Sequence, residues 1–497
     1  MRSQSIDLWL DHRSEETLQT QLRKRLLAAI DAGAVVPELP LPSCRKFAEQ
    51  LGVSRNTVGL VYQQLVDDGH LDSRPKAGYF LSEGTITTPD GASTTPPREA
   101  AAEKQTSPIA ERWKTRLRRQ PSTFRQIEKP ADWRRFDYPF IYGQYDTGIF
   151  PLSTWRETVK RLLRTQSDRD WLNDQVDQDD PLLVEQLRRR VLPRRGIFAN
   201  TDEVLVTLGS QNGLYLISDL LCGPGVRFGI EDPCYRDAYN ILAWHGAEPA
   251  LHGIDQMGFV PGPITPHCDL LYLTPSHQVP TGVRMTTDRR TRILEHANRH
   301  GQLLIEDDYD ADFTPRVDAP PALKATDDDG RIMYLGSFSK ALSPGLRLGY
   351  IVADRDLIRE MRALRRLMYR HPPTGLQRQV GEFLALGHHD ALIRQLVAAT
   401  KERREALRDS IERHAGLLRT LNSPEAGAFW CELPSGMDSR QVAADAARQS
   451  VLIETGDSHF ICDDPPVRYL RLGYTAIARD AIDAGIQRLA AVIERHC

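Results

Sequence analysis

The chain has 497 residues, with 64 Lys and Arg against 67 Asp and Glu and a formal net charge of −3. This length is too great for one ordinary domain and predicts two or three. No run of 18 apolar residues occurs, which argues against a membrane helix. The seven cysteines are scattered singly, which indicates a reduced cytoplasmic protein with neither a disulfide framework nor a zinc site. Near-neutral charge excludes nucleic-acid binding by bulk electrostatics, so any such binding needs a local surface.

The first 82 residues are predicted to be mainly helical. Apolar residues recur every four positions from Leu18 to Ile30, which is the spacing of an amphipathic helix. The following segment, LPSCRKFAEQLGVSRNTV, predicts two short helices. Ser43 would cap the first, Gly52 would make the turn, and Ser54 would cap the second. Two helices joined by a tight glycine turn are typical of a helix-turn-helix.

A wing and a recognition helix complete this pattern. HLDSRPKAGYFL predicts two short strands, and the helix that begins at Arg55 has a polar first turn. Such a helix reaches base edges with its first residues and turns its free N–H groups toward a phosphate. Together these motifs resemble a winged helix-turn-helix of the GntR type. The resemblance implies contacts with double-stranded operator DNA from eight residues: Arg45, Ser54, Arg55, Asn56, Thr57, Arg74, Lys76 and Gly78.

The charge of this DNA-reading unit is balanced. Residues 1–82 contain ten Lys and Arg and ten Asp and Glu. DNA binding is therefore expected to depend on a one-sided arrangement of charge and on dimerisation. The alternative is that the helix-turn-helix serves as a protein-interaction module.

Residues 83–130 are predicted to form a flexible linker, because they are rich in Thr, Pro, Ala and Ser and poor in large apolar residues. The end of this segment is basic. It predicts a helix that lies on DNA, lies on the next domain, or is only solvated. Its basic residues are Arg112, Lys114, Arg116, Arg118, Arg119, Arg125 and Lys129.

From residue 131 to 497, β-rich runs alternate with helical patterns, which predicts a parallel α/β sheet. One such run leads into SFSKALSPGLRLGY, which places Lys340 between serines and Arg347 seven residues later. A lysine that forms a Schiff base must lose its proton, and a neighbouring cation favours that loss. Ser337, Ser339 and Arg347 suit a phosphate, since two hydroxyls and a guanidinium can donate to it.

Three other motifs suit the remainder of a pyridoxal phosphate site. In LLIEDDYDADF, strand alternation places Asp307 and Tyr309 on one face. Asp307 suits the pyridinium nitrogen and Tyr309 the phenolic oxygen. TLGSQNGL begins a helix whose N–H groups at Ser210 and Gln211 can hold a phosphate. Tyr235, at a strand end in EDPCYRDAY, can stack on a flat ring.

The order of TLGSQNGL, EDPCY, TPSHQVPTG, EDDYD, SFSKALSPGLRLGY and YLRLGY resembles the fold-type I aminotransferase superfamily. Behind a GntR-type winged helix, it resembles the MocR family of transcriptional regulators, whose members include regulators of GABA, taurine, ectoine-derivative and pyridoxine metabolism. The resemblance implies bound pyridoxal 5′-phosphate, held by Lys340 as an internal aldimine. The other implied cofactor-binding residues are Asp307, Tyr309, Tyr235, Ser210, Gln211, Ser337, Ser339 and Arg347.

The resemblance also implies an effector site. Arg471 in YLRLGY matches the arginine that receives a substrate carboxylate, and a sulfonate would suit it nearly as well. Arg468 is the nearby alternative, but alternation puts it off the face of Arg471. Many aminotransferases carry Asn directly before the Pro-Thr-Gly of the central loop, where this chain has Val279; this departure argues against efficient transamination. The preceding His277 is either an effector contact or a satisfied loop histidine.

The sequence therefore predicts a multidomain, homodimeric transcription regulator. Residues 1–82 would bind DNA, residues 83–130 would be the linker, and residues 131–497 would form an aminotransferase-like sensor of an anionic amine. The amine would form an external aldimine with the cofactor and alter DNA binding. The alternative is an active aminotransferase with an accessory N-terminal domain, and the segment YGQYDTGIFP is a candidate for reaching the partner subunit's site.

Overall fold

The computed structural model describes residues 4, 6–82, 113, 115–127, 129–143, 146, 148–165, 174–310, 312, 320–421 and 427–497. The chain divides into two compact units, Met1–Leu117 and Arg118–Cys497, called here the N-terminal and C-terminal units. Across the described part of the chain, no helix is both long enough and apolar enough to cross a membrane.

Within residues 6–82, the N-terminal unit forms a winged helix-turn-helix of three helices and two strands. Leu22, Leu26 and Ile30 of the first helix are completely buried against the other two. Tyr62 is also buried, and its hydroxyl donates to the carbonyl of Pro42 at 2.9 Å. The elements are α1 (Leu18–Asp31), α2 (Cys44–Leu51), α3 (Arg55–Asp67), β1 (Leu71–Arg74) and β2 (Gly78–Leu81).

The predicted caps of α2 and α3 are both present. The Ser43 hydroxyl accepts from the backbone N–H of Lys46, and the Ser54 hydroxyl accepts from that of Thr57 at 3.1 Å. Gly52 ends α2 in the left-handed region at φ 67°, which a residue without Cβ adopts at least cost. The turn between the helices is therefore determined locally, by caps and one glycine.

A seven-stranded sheet forms the centre of the C-terminal unit. The described strands of this unit are β3 (Tyr138–Phe140), β4 (Val204–Thr207), β5 (Arg227–Glu231), β6 (Glu248–His252), β7 (Ile254–Asp255), β8 (Gly258–Phe259), β9 (Leu270–Leu273), β10 (Leu303–Asp307), β11 (Ile332–Ser337), β12 (Gly349–Val352), β13 (Arg419–Thr420), β14 (Ala428–Glu432), β15 (Val451–Thr455) and β16 (Tyr469–Gly473). The order in the central sheet is β4-β12-β11-β10-β9-β5-β6. Its strands run parallel except β12, which is antiparallel to both neighbours.

Helices cover both faces of this sheet. Val204 and Val206 pack into one apolar layer, while Leu205 between them packs into the other. Both faces being buried explains why the strands read as continuous apolar runs. The described helices of the whole C-terminal unit are α4 (Leu152–Thr165), α5 (Pro181–Gln186), α6 (Ser210–Leu221), α7 (Arg236–Trp244), α8 (Thr287–His300), α9 (Arg355–Tyr369), α10 (Thr374–Ala385), α11 (His388–His414), α12 (Ser439–Arg448) and α13 (Ile482–Arg495).

A smaller, second lobe contains a five-stranded sheet in the order β13-β14-β16-β15-β3. Phe429 and Leu470 of this sheet pack with Leu407 of α11 and Ile486 of α13. Arg471 lies on β16, opposite Trp430 of β14. The multidomain arrangement predicted from the sequence, with a winged helix followed by an aminotransferase-like α/β unit, is confirmed.

The strand directions bring the chemistry to one edge of the large sheet. Strands β4, β5, β10 and β11 all end there, since they run parallel. Asp307 is the last residue of β10, and the segments that follow β4, β5 and β11 carry Ser210, Tyr235 and Lys340. Ligands of open α/β sheets bind at this carboxyl edge.

The last part of the predicted linker belongs to the C-terminal unit, which begins at Arg118. Arg119 donates to the carbonyl of Trp244 at 3.3 Å, and Phe124 packs edge-on against the same indole. Arg125 forms a 2.6 Å ion pair with Asp457 of the second lobe. The flexible linker predicted for residues 83–130 therefore ends before residue 130, and residues 83–112 lie outside the described part of the chain.

Candidate functional site

One cavity of about 270 Å³ lies at the carboxyl edge of the large sheet, between it and the second lobe. It brings together every residue that the sequence predicts for the cofactor. Arg471, the predicted effector residue, lines it as well. The predicted residues that line the cavity are Ser210, Gln211, Tyr235, Asp307, Tyr309, Ser337, Ser339, Lys340, Arg347 and Arg471.

Lys340 lies just after β11 and its side chain is directed into the cavity. Burial, reinforced by the charges of Lys129 and Arg471, lowers the pKa of its ammonium to about 7. Gly143 adopts φ 80°, which favours glycine, and a Cβ there would displace the Lys340 amine. The arrangement gives a lysine that is largely neutral near physiological pH, which is what an amine nucleophile requires.

This pKa predicts how the protein takes up its cofactor. For protein freed of pyridoxal phosphate, we expect the rate of covalent uptake to rise between pH 6 and pH 8 and then to level off. The reason is that Lys340 reacts only when neutral, and its pKa is about 7. Stopped-flow absorbance measures the rate, with free lysine as the control. A rate that kept rising up to pH 10 would contradict the assignment of Lys340 as the reacting amine.

Asp307 ends β10 on the floor of the cavity. Its Oδ2 accepts from the Tyr272 hydroxyl at 2.7 Å, while its buried Oδ1 has no hydrogen-bond partner among the described residues. Burial raises the pKa of the Asp307 carboxyl to about 7. A buried carboxylate oxygen without a partner is costly unless a ligand pairs with it, so this atom fits the pyridinium nitrogen of pyridoxal phosphate.

A phosphate cradle lies at the start of α6. Gly209 precedes the helix at φ 82°, and a Cβ there would lie 3.1 Å from the Arg347 guanidinium. Gly349 is equally close-packed, because a Cβ on it would be 2.8 Å from the backbone nitrogen of Ser210. The two glycines thus let the helix N-terminus and Arg347 approach one anion together, which suits the cofactor's phosphate.

Aromatic and apolar groups form the walls. Tyr235 lines the cavity, and its hydroxyl donates to Asp237 at 3.2 Å. Tyr309 is buried beside Asp307, while Asp308 points the other way and pairs with Arg195 at 2.7 Å. The strand alternation predicted for this motif is therefore correct. Together with Asp307 and the phosphate cradle, these residues fit pyridoxal phosphate.

Arg471 has donor groups available for an anion. It is 3% exposed, and its Nε and Nη2 have no hydrogen-bond partner among the described residues. Its Nη1 lies 3.9 Å from Glu454, and its guanidinium stacks on the Tyr142 ring at 4.0 Å. Arg468 is instead exposed and pairs with Glu432, so Arg471 is the one of the two arginines that lines the cavity.

His277 is not placed as an effector contact. It is buried, and its Nδ1 is 2.8 Å from Oδ1 of Asp310, whose other oxygen accepts from the Tyr142 hydroxyl. It does not line the cavity around Lys340. The geometry thus favours the satisfied loop histidine over the effector contact, because the imidazole already pairs with Asp310.

Several residues that line the cavity were not predicted from the sequence as members of this site, among them Lys129, Tyr142, Glu454 and His459. Tyr272 lies next to the cavity and donates to Asp307. Tyr142, considered for the partner's site, lies in this chain's own cavity. Only Tyr272 carried a usable signal, since it sits on a strand next to β10. The others converge from segments that are far apart in the chain.

In the N-terminal unit, seven of the eight predicted DNA-contacting residues are exposed, and Thr57 is half-buried. The wing turns at residues 75–77, with Arg74 and Lys76 beside the tip and Gly78 at φ 108°. Arg55 and Asn56 open α3 directly after its Ser54 cap, with their side chains in solvent.

Comparison with known proteins agrees with this architecture. Residues 18–81 match the family "Bacterial regulatory proteins, gntR family", and residues 142–489 match "Aminotransferase class I and II". The regulator TauR of Rhodobacter capsulatus is 37% identical over 95% of this chain and 96% of its own length. The probable rhizopine catabolism regulatory protein MocR of Rhizobium meliloti is 28% identical over 97% of this chain and 95% of its own.

Among solved structures, the α-aminoadipate aminotransferase LysN of Thermus thermophilus, complexed with N-(5'-phosphopyridoxyl)-L-leucine, superposes with a TM-score of 0.68 at 25% identity. The match covers 77% of this chain and 98% of that one. A GntR-type reader joined to an aminotransferase-like unit, matched over nearly its whole length by such regulators, places the chain in the MocR family of transcriptional regulators.

Proposed function

We propose that this protein is a pyridoxal phosphate-dependent transcription regulator that senses an amine with an anionic group. The observation that carries the proposal is the cavity itself. It combines a buried lysine of lowered pKa, an unpaired carboxylate oxygen and an open arginine in a chain that begins with a DNA-reading unit.

Each residue has a defined task in this proposal. Asp307 would hold the ring nitrogen, while the α6 N-terminus and Arg347 would hold the phosphate. When bound, pyridoxal phosphate would supply an aldehyde carbon that condenses reversibly with amines. Lys340 would supply the protein's own amine beside that carbon, and the Nε and Nη2 of Arg471 would bind the carboxylate or sulfonate of an effector.

The effector would act as a switch through the two lobes that it contacts. Because the effector contacts the large sheet and Arg471 of the second lobe together, it favours the conformation in which the two lobes are close. That difference in affinity is what shifts an equilibrium between two states.

On the DNA side, we propose that Arg55, Asn56 and the wing residues read an operator as a homodimer in the cytoplasm. One neutral reader of about 80 residues offers few phosphate contacts. Two readers joined by their sensors would double those contacts and require two half-sites. Double-stranded DNA and an anionic amine are thus the proposed partners.

An absorbance titration tests the sensor. The loaded full-length protein is mixed with taurine, γ-aminobutyrate and other amines, and both the visible spectrum and keto products are followed. We expect a spectral change with no more than about one keto product formed per protein molecule, because Val279 replaces the usual Asn. Sustained keto product over many turnovers would instead support the active aminotransferase. No spectral response to any amine in the panel would contradict the proposal.

A further inference from the structure

A lysine of the predicted linker reaches the effector end of the cavity. Lys129 Nζ lies 3.1 Å from Oε1 of Glu454, and it donates to the carbonyl of Tyr142. Glu454 Oε2 lies 3.9 Å from Arg471, so one carboxylate lies between two cations. All of these side chains line the same cavity as Lys340.

Lys129, Glu454 and Arg471 form a triad of charged side chains at this end of the cavity. Burial opposes ionisation of Glu454, but Lys129 and Arg471 together hold the pKa of its carboxyl below the usual value. Glu454 is therefore an anion, and Lys129, Glu454 and Arg471 carry a net charge of about +1. Without Lys129 the pair that remains would be neutral, and Glu454 would repel an incoming carboxylate or sulfonate.

The segment that carries Lys129 is docked on both lobes. Residues 119–127 and 129, called here the docking segment, contact Trp244 of α7 through Arg119 and Phe124. Asn240 of α7 donates to the carbonyl of Arg125 at 2.9 Å, and the Arg125 side chain pairs with Asp457. Lys129 is thus the inner end of a chain segment that leads toward the N-terminal unit.

We propose that Lys129 determines the specificity of the effector site for amines that carry an anionic group, and that it does so only while the docking segment is in place. This inference rests on the proposed function and names its regulation. Affinity for an anion at Arg471 then depends on docking. By thermodynamic reciprocity, the anion must favour docking by the same factor. Effector binding thereby stabilises the docked state of the segment that leads to the N-terminal unit.

The first test compares anionic and neutral probes. In loaded full-length protein, Lys129→Gln should weaken the apparent affinity for taurine and γ-aminobutyrate by about tenfold or more, roughly one charge-assisted hydrogen bond. The response to propylamine, which has no anionic group, should change by less than about twofold. Lys160→Gln, an exposed lysine on α4, is the matched control and should leave both unchanged.

A charge-restoring variant separates charge from structural damage. Lys129→Gln combined with Glu454→Gln leaves only Arg471 charged, so the net charge returns to +1. We expect this double variant to recover anion affinity to within about threefold of the wild type. Failure of this rescue, together with equal losses for propylamine, would show that Lys129 is merely structural and would overturn the proposal.

The second test measures docking directly. Trypsin cleavage after Arg125 requires the segment to leave its site, and saturating taurine should slow that cleavage in the wild type by up to about tenfold. The double variant should bind taurine yet lose this protection, because it lacks the Lys129–Glu454 ion pair that joins the docking segment to the site. Equal protection in wild type and Lys129→Gln would overturn the proposal.

The spectral titration separates this inference from the proposed function. If no amine changes the wild-type spectrum, both fail. If amines change the spectrum but the response does not depend on their charge, only this inference fails.

Discussion

Replacing Lys340 by alanine is expected to abolish covalent retention of pyridoxal phosphate and to weaken the amine response by about two orders of magnitude or more. Lys340 is the only lysine besides Lys129 that lines the described part of the cavity, and its lowered pKa makes it the reactive one. Borohydride reduction followed by mass spectrometry should find the cofactor on the peptide that contains Lys340 in the wild type. In the variant no peptide should carry it.

The control for this experiment is Lys160→Ala, which removes an exposed lysine from α4. It should keep cofactor and response. The Lys340→Ala protein should still bind pyridoxal phosphate reversibly, because Asp307 and the phosphate cradle remain. If Lys340→Ala retained the full effect of amines on DNA binding, exchange at this lysine would not be the switch.

The second large effect is expected on DNA binding, when the first two side chains of α3 are removed. Arg55→Ala combined with Asn56→Ala should weaken binding to DNA selected from a random pool by about a hundredfold or more. Each bidentate base contact is worth roughly 1–3 kcal/mol, and both side chains are exposed at the start of α3. A mobility-shift assay at fixed salt measures the affinity.

Gln63→Ala provides the matched control, since Gln63 is exposed on the same helix two turns later. It should reduce affinity less than about threefold. The double variant should also keep its melting temperature, because neither side chain enters the core that Val58, Val61 and Tyr62 form. Unchanged DNA affinity in a folded double variant would exclude α3 as the recognition helix and favour a protein-interaction role.

Features that depend on neighbours along the chain were predictable. The Ser43 and Ser54 caps, the Gly52 turn and the opposite faces of Asp307 and Asp308 all follow from residues no more than four apart. Such features are determined by backbone geometry, which is the same wherever the motif occurs. The residues proposed for the cofactor were found in the same way, because each belongs to a short motif at the end of a strand.

The role of His277 could not be read in this way. Its motif, TPSHQVPTG, left open whether the imidazole meets an effector or the protein. The packing of Asp310 against it favours the second alternative, because that carboxylate comes from the segment after β10 and pairs with the ring nitrogen. A histidine's partners are set by tertiary neighbours rather than by its own loop.

By itself, the sequence determined a GntR-type reader followed by a pyridoxal phosphate-type cavity, and it identified Lys340, Asp307 and Arg471 within that cavity. Only the tertiary structure decided what surrounds Arg471. Lys129 and Glu454 are 325 residues apart in the chain, yet their charges meet at 3.1 Å. No local pattern encodes such a meeting, because it depends on the order of strands in two sheets and on the packing of one lobe against the other.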